Sequence, residues 1–347
     1  MSPFIKLADP SSYIACQWDM RTDHEARNYW VPFFKRHLNT ILKLGVQALM
    51  NSGVASSVAM KQAEECQLDF YALFDRFAAN PNGSGRVTIL TLDMWRDELL
   101  RRHGFIDPFS ELKRKENEAA LPMLPAVVRE LDTHAGTDQI LAMIEGVFAG
   151  NIFDMGAGAT AQRILDGGLD FFKTRDALRR PWLIDDFDRL AQTLARKRHA
   201  KAIFFIDNAG SDFLLGALPM IRWLARRGTR VVIAANERPT LNDMTIHDVR
   251  TWWPRVLATE PSFKGLPIEF VSTGTGEPLI DLSAVSHELN RAADGADLII
   301  LEGMGRAIES NLDAKFTCDA LNLGMIKDEM IAKVNNGRLY DVICRFR

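Results

Sequence analysis

The chain has 347 residues, of which 47% are hydrophobic and 25% charged, and this composition excludes disordered, collagenous and coiled-coil proteins. Its length suits one large domain or two modest ones. The formal net charge of −3 argues against a nucleic acid or an anionic membrane as the main partner. A small metabolite is therefore the favoured partner, and the sequence leaves the oligomeric state open.

The amino-terminal residues lack the apolar core of a secretion signal, and no uncharged apolar run of about 18 residues follows. The four cysteines, Cys16, Cys66, Cys318 and Cys344, are scattered and form no C-x-x-C pair. Neither a disulfide framework nor a zinc site is indicated. We expect a cytoplasmic protein whose cysteines are reduced packing residues.

The first part of the chain has helical periodicity. Apolar residues recur every three or four positions, as at Phe34, Leu38 and Ile41, and this pattern continues from about residue 28 to 194. The pattern predicts a mainly helical region over residues 1–199. Within it, Lys115, Glu116 and Asn117 are typical of a solvated or interdomain helix face.

From residue 200 onward, short apolar runs alternate with helical stretches. One such stretch ends with Arg226, Arg227 and Gly228, as amphipathic helices often do, and Pro219 is expected near its start. The alternation predicts an α/β fold with a doubly wound, mostly parallel sheet over about residues 200–347. We expect the helical region to pack against this sheet as one compact unit. The predicted strands are residues 203–206, 231–234, 268–271, 298–301 and 340–344.

Polar residues follow four of the predicted strands, where ligands bind in open parallel sheets. They include Asp207 and Asn208, Asn242 and Asp243, and the runs 272–276 and 302–306. Each group alone is adequately explained as a turn or a helix cap. Because four strand ends converge on one edge, the combination favours a functional site there.

The residue types at this edge favour a divalent cation and a phosphate. If Asp207 and Asp243 came within about 4 Å, their repulsion would be about 4 kcal/mol at an effective dielectric near 20, so a cation or a proton is expected between them. The available ligands are oxygens, which suits Mg²⁺ or Mn²⁺. Glycine-rich turns, Arg306 and Lys327 are typical of phosphate binding. We therefore predict metal-assisted chemistry on a phosphorylated small molecule.

Three motifs resemble the damage-control phosphatase family, formerly a domain of unknown function. They are D-N-A-G at 207–210, N-E-R-P-T-L-N-D-M-T at 236–245 and E-G-M-G-R at 302–306. The last resembles the family's second subfamily, which includes stand-alone plant proteins and the carboxy-terminal domain of type-four pantothenate kinases. Segments at 104–109, 149–156 and 336–343 also look like family segments in the family order. The resemblance covers about residues 90–347.

The resemblance implies a metal-dependent phosphoric monoester hydrolase. Its metal ligands and catalytic residues fall on Asp207, Asn208 and Asp243, and the implied ion is Mn²⁺, Co²⁺, Ni²⁺ or Mg²⁺. The implied substrates are 4′-phosphopantetheine in damaged or oxidised form and, more broadly, sugar phosphates. Whether Asp207 only binds the metal or also attacks the phosphorus stays open.

Several further residues are expected to bind the substrate. Arg306 and Lys327 would offset charge on the phosphoryl oxygens, supported by N–H groups around Gly303 and Gly305. Asn151 and Asp154 are explained about equally well by helix capping, but their place in a family-like segment favours a position in the pocket. The expected substrate-binding residues are Asn151, Asp154, Glu302, Gly303, Gly305, Arg306 and Lys327.

Two other functions remain as alternatives. A small-molecule or protein carboxyl methyltransferase could bind at the same sheet edge, but its glycine loop normally follows the first strand, whereas the loop at 272–276 follows the third. A non-catalytic phosphometabolite-binding regulator would keep the pocket without turnover. A metal titration separates these functions, because only the phosphatase needs a divalent ion for product release.

Overall fold

The computed structural model describes residues 1–152 and 171–347, so the predicted substrate residue Asp154 lies outside the described residues. The chain divides into two compact units. Unit 1 comprises Met1–Ala15, Lys113–Arg238 and Asp243–Arg347, and unit 2 comprises Cys16–Leu112 and Pro239–Asn242. Residue 200, where the helical periodicity gives way to alternating apolar runs and helical stretches, therefore lies inside unit 1.

Unit 2 is built on the helices α1 (His24–Asn51), α2 (Ser56–Ala79) and α3 (Ile89–Arg102), with a 3₁₀ turn at Pro81–Gly83. Helix α1 begins where the side chain of Asp23 accepts the N–H of Ala26, a standard N-cap. Its apolar face packs on α2 through Phe34, which stacks on Phe74 with 5.8 Å between ring centroids. The periodicity of the sequence thus reflects burial of one face of each helix.

The remaining helices follow in chain order. They are α4 (Ser110–Ala120), α5 (Leu124–Thr133), α6 (Gly136–Ile152), α7 (Phe171–Asp176), α8 (Phe187–Arg196), α9 (Leu218–Arg226), α10 (Ile246–Thr259), α11 (His287–Ala293) and α12 (Glu329–Val334). Short 3₁₀ turns occupy Leu121–Met123 and Pro261–Phe263, and π-helical segments occupy Asp212–Ala217 and Met304–Glu309. Pro219 is the second residue of α9, directly after the π-helical segment Asp212–Ala217.

Unit 1 contains a seven-stranded sheet in the order β1-β7-β6-β5-β2-β3-β4. Neighbouring strands are parallel except for β6 and β7, which are antiparallel. The predicted α/β class with a mostly parallel sheet and a helical first half is confirmed. The strands are β1 (Ile184–Asp185), β2 (Lys201–Phe205), β3 (Arg230–Ala235), β4 (Ile268–Ser272), β5 (Leu298–Glu302), β6 (Asp319–Met325) and β7 (Val342–Phe346).

Strands β1 and β6 are additions to the predicted set. Strand β6 contains Asn322, a polar residue that interrupts its apolar pattern although the side chain is 0% exposed. The amide nitrogen of Asn322 donates to the carbonyl oxygens of Ala307 and Asn311. The structure thus satisfies a buried polar group that local sequence alone would place in a loop.

Strand β2 carries a buried apolar run near the centre of the sheet, as expected for parallel strands covered on both faces. Ile203, Phe204 and Phe205 of β2 are completely buried. Helix α6 approaches the π-helical segment Asp212–Ala217 so closely that a β-carbon on Gly150 would lie 2.8 Å from the carbonyl oxygen of Ser211. In the described residues, every helix is too short or too polar to cross a membrane.

Candidate functional site

The loops after β2 and β3 lie side by side and bring Asp207, Asn208 and Asp243 together. Asn208 pairs with Asp243 in an isolated antiparallel bridge. The N–H of Met244 donates to the carbonyl oxygen of Asp207 at 2.9 Å. All three polar side chains are buried. The convergence expected from the strand ends is therefore present in the structure.

Asp243 is not the cap of the helix that follows it. Helix α10 begins with Thr245 as N-cap, and Thr245 and Asp248 form a reciprocal capping box. The amide nitrogen of Asn236 instead donates to Asp243 Oδ2 at 3.1 Å. The carboxylate of Asp243 thus faces the site.

The cation between the two aspartates is an arginine. The guanidinium of Arg306 binds Asp207 Oδ1 through Nη1 and Asp243 Oδ2 through Nη2, the latter at 2.7 Å. Arg306 is 1% exposed, and burial lowers the pKa of its guanidinium to about 9, which leaves it protonated near neutral pH. The sequence predicted a positive charge here, but assigned Arg306 to the phosphate and not to these carboxylates.

The E-G-M-G-R turn lies against Asp207. Glu302, expected to bind substrate, accepts the N–H of Asp207 at 2.9 Å. Gly303 has φ +95°, and a β-carbon there would overlap the carboxylate of Asp207. The N–H of Gly303 donates to the carbonyl oxygen of Leu323 at 2.9 Å, so it is not available to a phosphate. Glycine is required here for conformation and space.

Gly305 is part of the same turn, and the backbone of Lys327 contacts it. A β-carbon on Gly305 would lie 2.7 Å from the carbonyl oxygen of Pro278. The backbone N–H of Lys327 donates to the sulfur of Met304 at 3.1 Å. Both predicted substrate residues therefore belong to this region of the sheet edge.

Asp212 lies at the same sheet edge, although no sequence motif singled it out. It is 0% exposed and is the first residue of a π-helical segment. Carboxylate oxygens of Asp207, Asp212 and Glu302 lie within 4.8 Å of one another. An acid five positions after the strand-end aspartate is the only local signal, and it equally fits the first turn of a helix.

Asn151 reaches the same acids from helix α6. It is 1% exposed, and its amide nitrogen donates to Asp212 Oδ2 at 2.8 Å and to Glu302 Oε1 at 3.4 Å. Capping of its own helix does not account for these contacts, which span 61 and 151 positions of sequence. Asn151 therefore lies beside the buried acids of this sheet edge.

Glu116 and Asn117 do not lie on the solvated face that was predicted for them together with Lys115. Lys113, Glu116 and Asn117 are buried, whereas Arg114 and Lys115 are exposed. Asn117 Oδ1 accepts the N–H of Gly210 at 2.7 Å, so helix α4 packs directly on the D-N-A-G loop. The error arose because the burial of this helix depends on a loop almost a hundred residues away.

Lys113 ties the same helix to α10. Its ammonium donates to Asp248 Oδ2 at 2.8 Å. Burial opposes ionisation of Asp248, but the Lys113 charge and the hydrogen bonds from Thr245 outweigh it and lower the pKa of this carboxyl group. The loops that carry Asp207 and Asp243 are thus held by the same pair of helices.

The donor set fits a divalent metal ion. The site offers carboxylate and amide oxygens, and Arg306 balances one of the two charges on Asp207 and Asp243. Three of the buried side-chain oxygens that accept no hydrogen bond belong to this region: Asn151 Oδ1, Asp212 Oδ1 and Asn236 Oδ1. Hard divalent cations prefer such oxygen ligands, and an unsatisfied buried acceptor is costly without a partner.

The fold and the site together define an α/β protein with an acidic, oxygen-lined centre at the carboxyl ends of its parallel strands. The model of the damage-control phosphatase ARMT1-like domain matches residues 48–343. This chain belongs to that family, as its motifs predicted.

Curated relatives agree with this assignment. The chain is similar to a damage-control phosphatase of Arabidopsis thaliana, with 39% identity over 100% of this chain and 97% of the relative. It is 34% identical to pantothenate kinase 2 of the same plant over 99% of this chain and 41% of the relative. It is 30% identical to 4′-phosphopantetheine phosphatase of Mus musculus over 98% of this chain and 48% of the relative. The chain thus spans less than half the length of the last two.

A solved structure supports the fold. A DUF89 family protein of Pyrococcus horikoshii superposes with a TM-score of 0.67 at 20% identity, covering 90% of this chain and 96% of the other. Three of the relatives are named as phosphatases. They do not favour the methyltransferase or the non-catalytic regulator.

Proposed function

We propose that this chain is a divalent-metal-dependent phosphatase that hydrolyses phosphate monoesters of small metabolites, with 4′-phosphopantetheine and its oxidised forms as the first substrates to test. The observation that carries the proposal is the meeting of Asp207, Asn208 and Asp243 at one sheet edge around the guanidinium of Arg306. The name of the mouse relative motivates the choice of substrate.

Asp207, Asn208 and Asp243 would hold the metal through carboxylate and amide oxygens. When bound, a divalent ion polarises a phosphoryl oxygen and makes a coordinated water a better nucleophile. Manganese, cobalt, nickel and magnesium all accept such ligands, so the native ion has to be found by titration.

Arg306 would contribute a fixed positive charge to the phosphoryl group. Its guanidinium is held by two buried carboxylates, so little reorganisation is needed when negative charge develops on the phosphate. The five donors of a guanidinium allow contacts with the phosphate in addition to those with the carboxylates. Lys327, beside the E-G-M-G-R turn, would add a second cation at the same edge.

Asp207 is proposed as a metal ligand and not as a nucleophile. One carboxylate oxygen binds Arg306 and the other accepts the amide nitrogen of Asn208 at 2.7 Å. Its backbone N–H is fixed by Glu302. A carboxylate whose two oxygens are both engaged is better suited to ligation than to in-line attack on phosphorus.

The test is phosphate release from 4′-phosphopantetheine, its oxidised forms, sugar phosphates and an aryl phosphate, each with Mn²⁺, Co²⁺, Ni²⁺ or Mg²⁺ and with chelator. We expect release that depends on metal and is nearly abolished in Asp207→Ala and Asp243→Ala. The matched control is Asp313→Ala, which removes an exposed carboxylate paired with Arg345. Release that persists in chelator, or wild-type rates in both site variants, would contradict the proposal.

The substrate class is decided separately, from the ratios of kcat/KM. A phosphopantetheine specialist should prefer the pantetheine esters over the aryl phosphate by at least about tenfold, which corresponds to about 1.4 kcal/mol of selective binding. Equal values across the panel would keep the phosphatase assignment but reject phosphopantetheine as the preferred substrate.

A further inference from the structure

The side-chain amide of Asn208 is held between two carboxylates. Its nitrogen donates to Asp207 Oδ2 at 2.7 Å and to Asp212 Oδ2 at 2.9 Å. An amide nitrogen has only two hydrogens, so both are committed. The backbone N–H of Asn208 also points to Asp212 Oδ2, at 3.3 Å.

These contacts leave only one orientation for the amide. If the amide were reversed, its oxygen would face two carboxylate oxygens without a proton between them, which is strongly unfavourable in a buried site. The amide oxygen is therefore the group of Asn208 that remains for other partners. An oxygen is also the atom of an asparagine that binds a hard metal ion.

We propose that Asp212 is a positioning residue of the metal site, which fixes the amide of Asn208 so that its oxygen is presented to the metal. This inference rests on the proposed metal-dependent function. Asp212 acts through Asn208 and is not itself required to contact the substrate. Residues that orient metal ligands in this way typically change metal affinity by 10–100-fold.

Asp212 is itself rigidly held. It is 0% exposed, and Asn151 donates to the same Oδ2 at 2.8 Å. Helix α6 carries Asn151 next to Gly150, whose lack of a side chain permits the close packing on the segment that begins with Asp212. The same acceptor oxygen thus binds amide donors from helix α6 and from the loop after β2, which fixes its position.

The arrangement also accounts for an amide and not an acid at position 208. An aspartate there would place a third carboxylate against Asp207 and Asp212, with no hydrogens to donate. Although a carboxylate is ordinarily a stronger metal ligand than an amide, here it would carry the repulsion of two neighbours. An asparagine at position 208, and not a second aspartate after Asp207, therefore fits a site that also contains Asp212.

The test is the affinity for Mn²⁺, measured by isothermal titration calorimetry on the full chain. Asp212→Ala removes the acceptor and should weaken Mn²⁺ binding by about 10–100-fold. Asp212→Asn keeps an acceptor oxygen at the same place and should recover most of that loss. A purely structural role would lower the melting temperature of the metal-free protein in Asp212→Ala but leave the Kd for Mn²⁺ unchanged.

A second pair of variants keeps the inference testable if Asp212→Ala does not fold. Asn208→Asp should bind Mn²⁺ more weakly than wild type, and adding Asp212→Asn, which supplies a donor in place of the carboxylate, should tighten binding by about tenfold or more. Equal affinity of the single and double variants would overturn the inference.

The control is Asp297→Ala. The carboxylate of Asp297 accepts the N–H groups of Ala200 and Lys201 at the opposite end of β2, both at 3.0 Å, and its loss should not change the Kd. Wild-type protein that binds no Mn²⁺ would overturn the proposed function and the inference with it. If folded Asp212→Ala binds Mn²⁺ with the same Kd as the wild type, the inference is overturned while the proposed function stands.

Discussion

Replacement of Arg306 by methionine tests whether this arginine is the counter-ion of the proposed metal ligands. The guanidinium is 1% exposed, and its partners Asp207 and Asp243 are 7% and 2% exposed. Removing one partner of a buried ion pair typically costs about 3–5 kcal/mol, because the remaining charge is left unpaired. Here two carboxylates lose their shared cation, so we expect a loss in the free energy of unfolding in this range or above it.

The assay is thermal unfolding with chelator and with saturating Mn²⁺. For a unit of this size, about 2–4 °C per kcal/mol converts the loss into a fall of about 6–20 °C in Tm without metal. Bound metal supplies positive charge to the same carboxylates and stabilises the folded state by mass action, so the fall with Mn²⁺ should be smaller. Arg345→Met is the control, since its pair with the largely exposed Asp313 should contribute at most about 1 kcal/mol. An equal fall in Tm with and without Mn²⁺ would refute the reasoning.

Three further changes have defined outcomes. Gly303→Ala should abolish metal binding measured by calorimetry, because the added β-carbon would overlap the carboxylate of Asp207. The control is Gly265→Ala, where φ is also positive (+76°) but the added β-carbon meets open space. This control should cost only the strain of the left-handed backbone, about 1–2 kcal/mol. Asn117→Ala leaves the N–H of Gly210 without its acceptor. It should lower the free energy of unfolding, measured by denaturant titration, by about 1–3 kcal/mol, and it should also lower phosphatase activity. Burial raises the pKa of Glu145 from 4.5 to about 7. Between these two pH values the folded state holds a proton on Glu145 that the unfolded state has lost, so stability falls as pH rises. The Tm of the wild type should therefore fall relative to that of Glu145→Gln over this pH range.

Each of these predictions has a result that counts against it. Equal metal affinity in Gly303→Ala and Gly265→Ala would exclude the steric argument. Asn117→Asp retains an acceptor oxygen, so a loss as large as that of Asn117→Ala would mean that the hydrogen bond to Gly210 is unimportant. A Tm difference between Glu145→Gln and wild type that is constant from pH 4.5 to 7 would reject the raised pKa of Glu145.

The sequence predicted the parts of the site that depend on strand ends. Asp207 directly follows an apolar run, and the carboxyl ends of parallel strands meet at one edge, so its approach to Asp243 could be expected. The need for a positive charge between them followed from Coulomb repulsion alone. The sequence identified Gly303 as part of a glycine-containing turn at the predicted site. Its close approach to the carboxylate of Asp207, which leaves no space for a side chain, could not be predicted.

Other residues of the fold and the candidate site could not be predicted, because sequence patterns report on neighbouring positions whereas the hydrogen-bond partners of these residues are far away in the chain. Strand β6 was missed because Asn322 looks like a loop residue until its bonds to Ala307 and Asn311 are known. Asn117 was assigned to a solvated face although it holds the N–H of Gly210, 93 positions away. Asp212 resembles an ordinary acid in the first turn of a helix.

The sequence by itself determined the α/β class, the edge of the sheet that carries the site, and the family. These features follow from periodicity and from residue types at strand ends, which are local properties of the chain. Only the tertiary structure decided that the cation between Asp207 and Asp243 is Arg306, and that Asp212 holds the amide of Asn208. The physical reason is that hydrogen-bond geometry is directional and is set by packing between segments far apart in the chain.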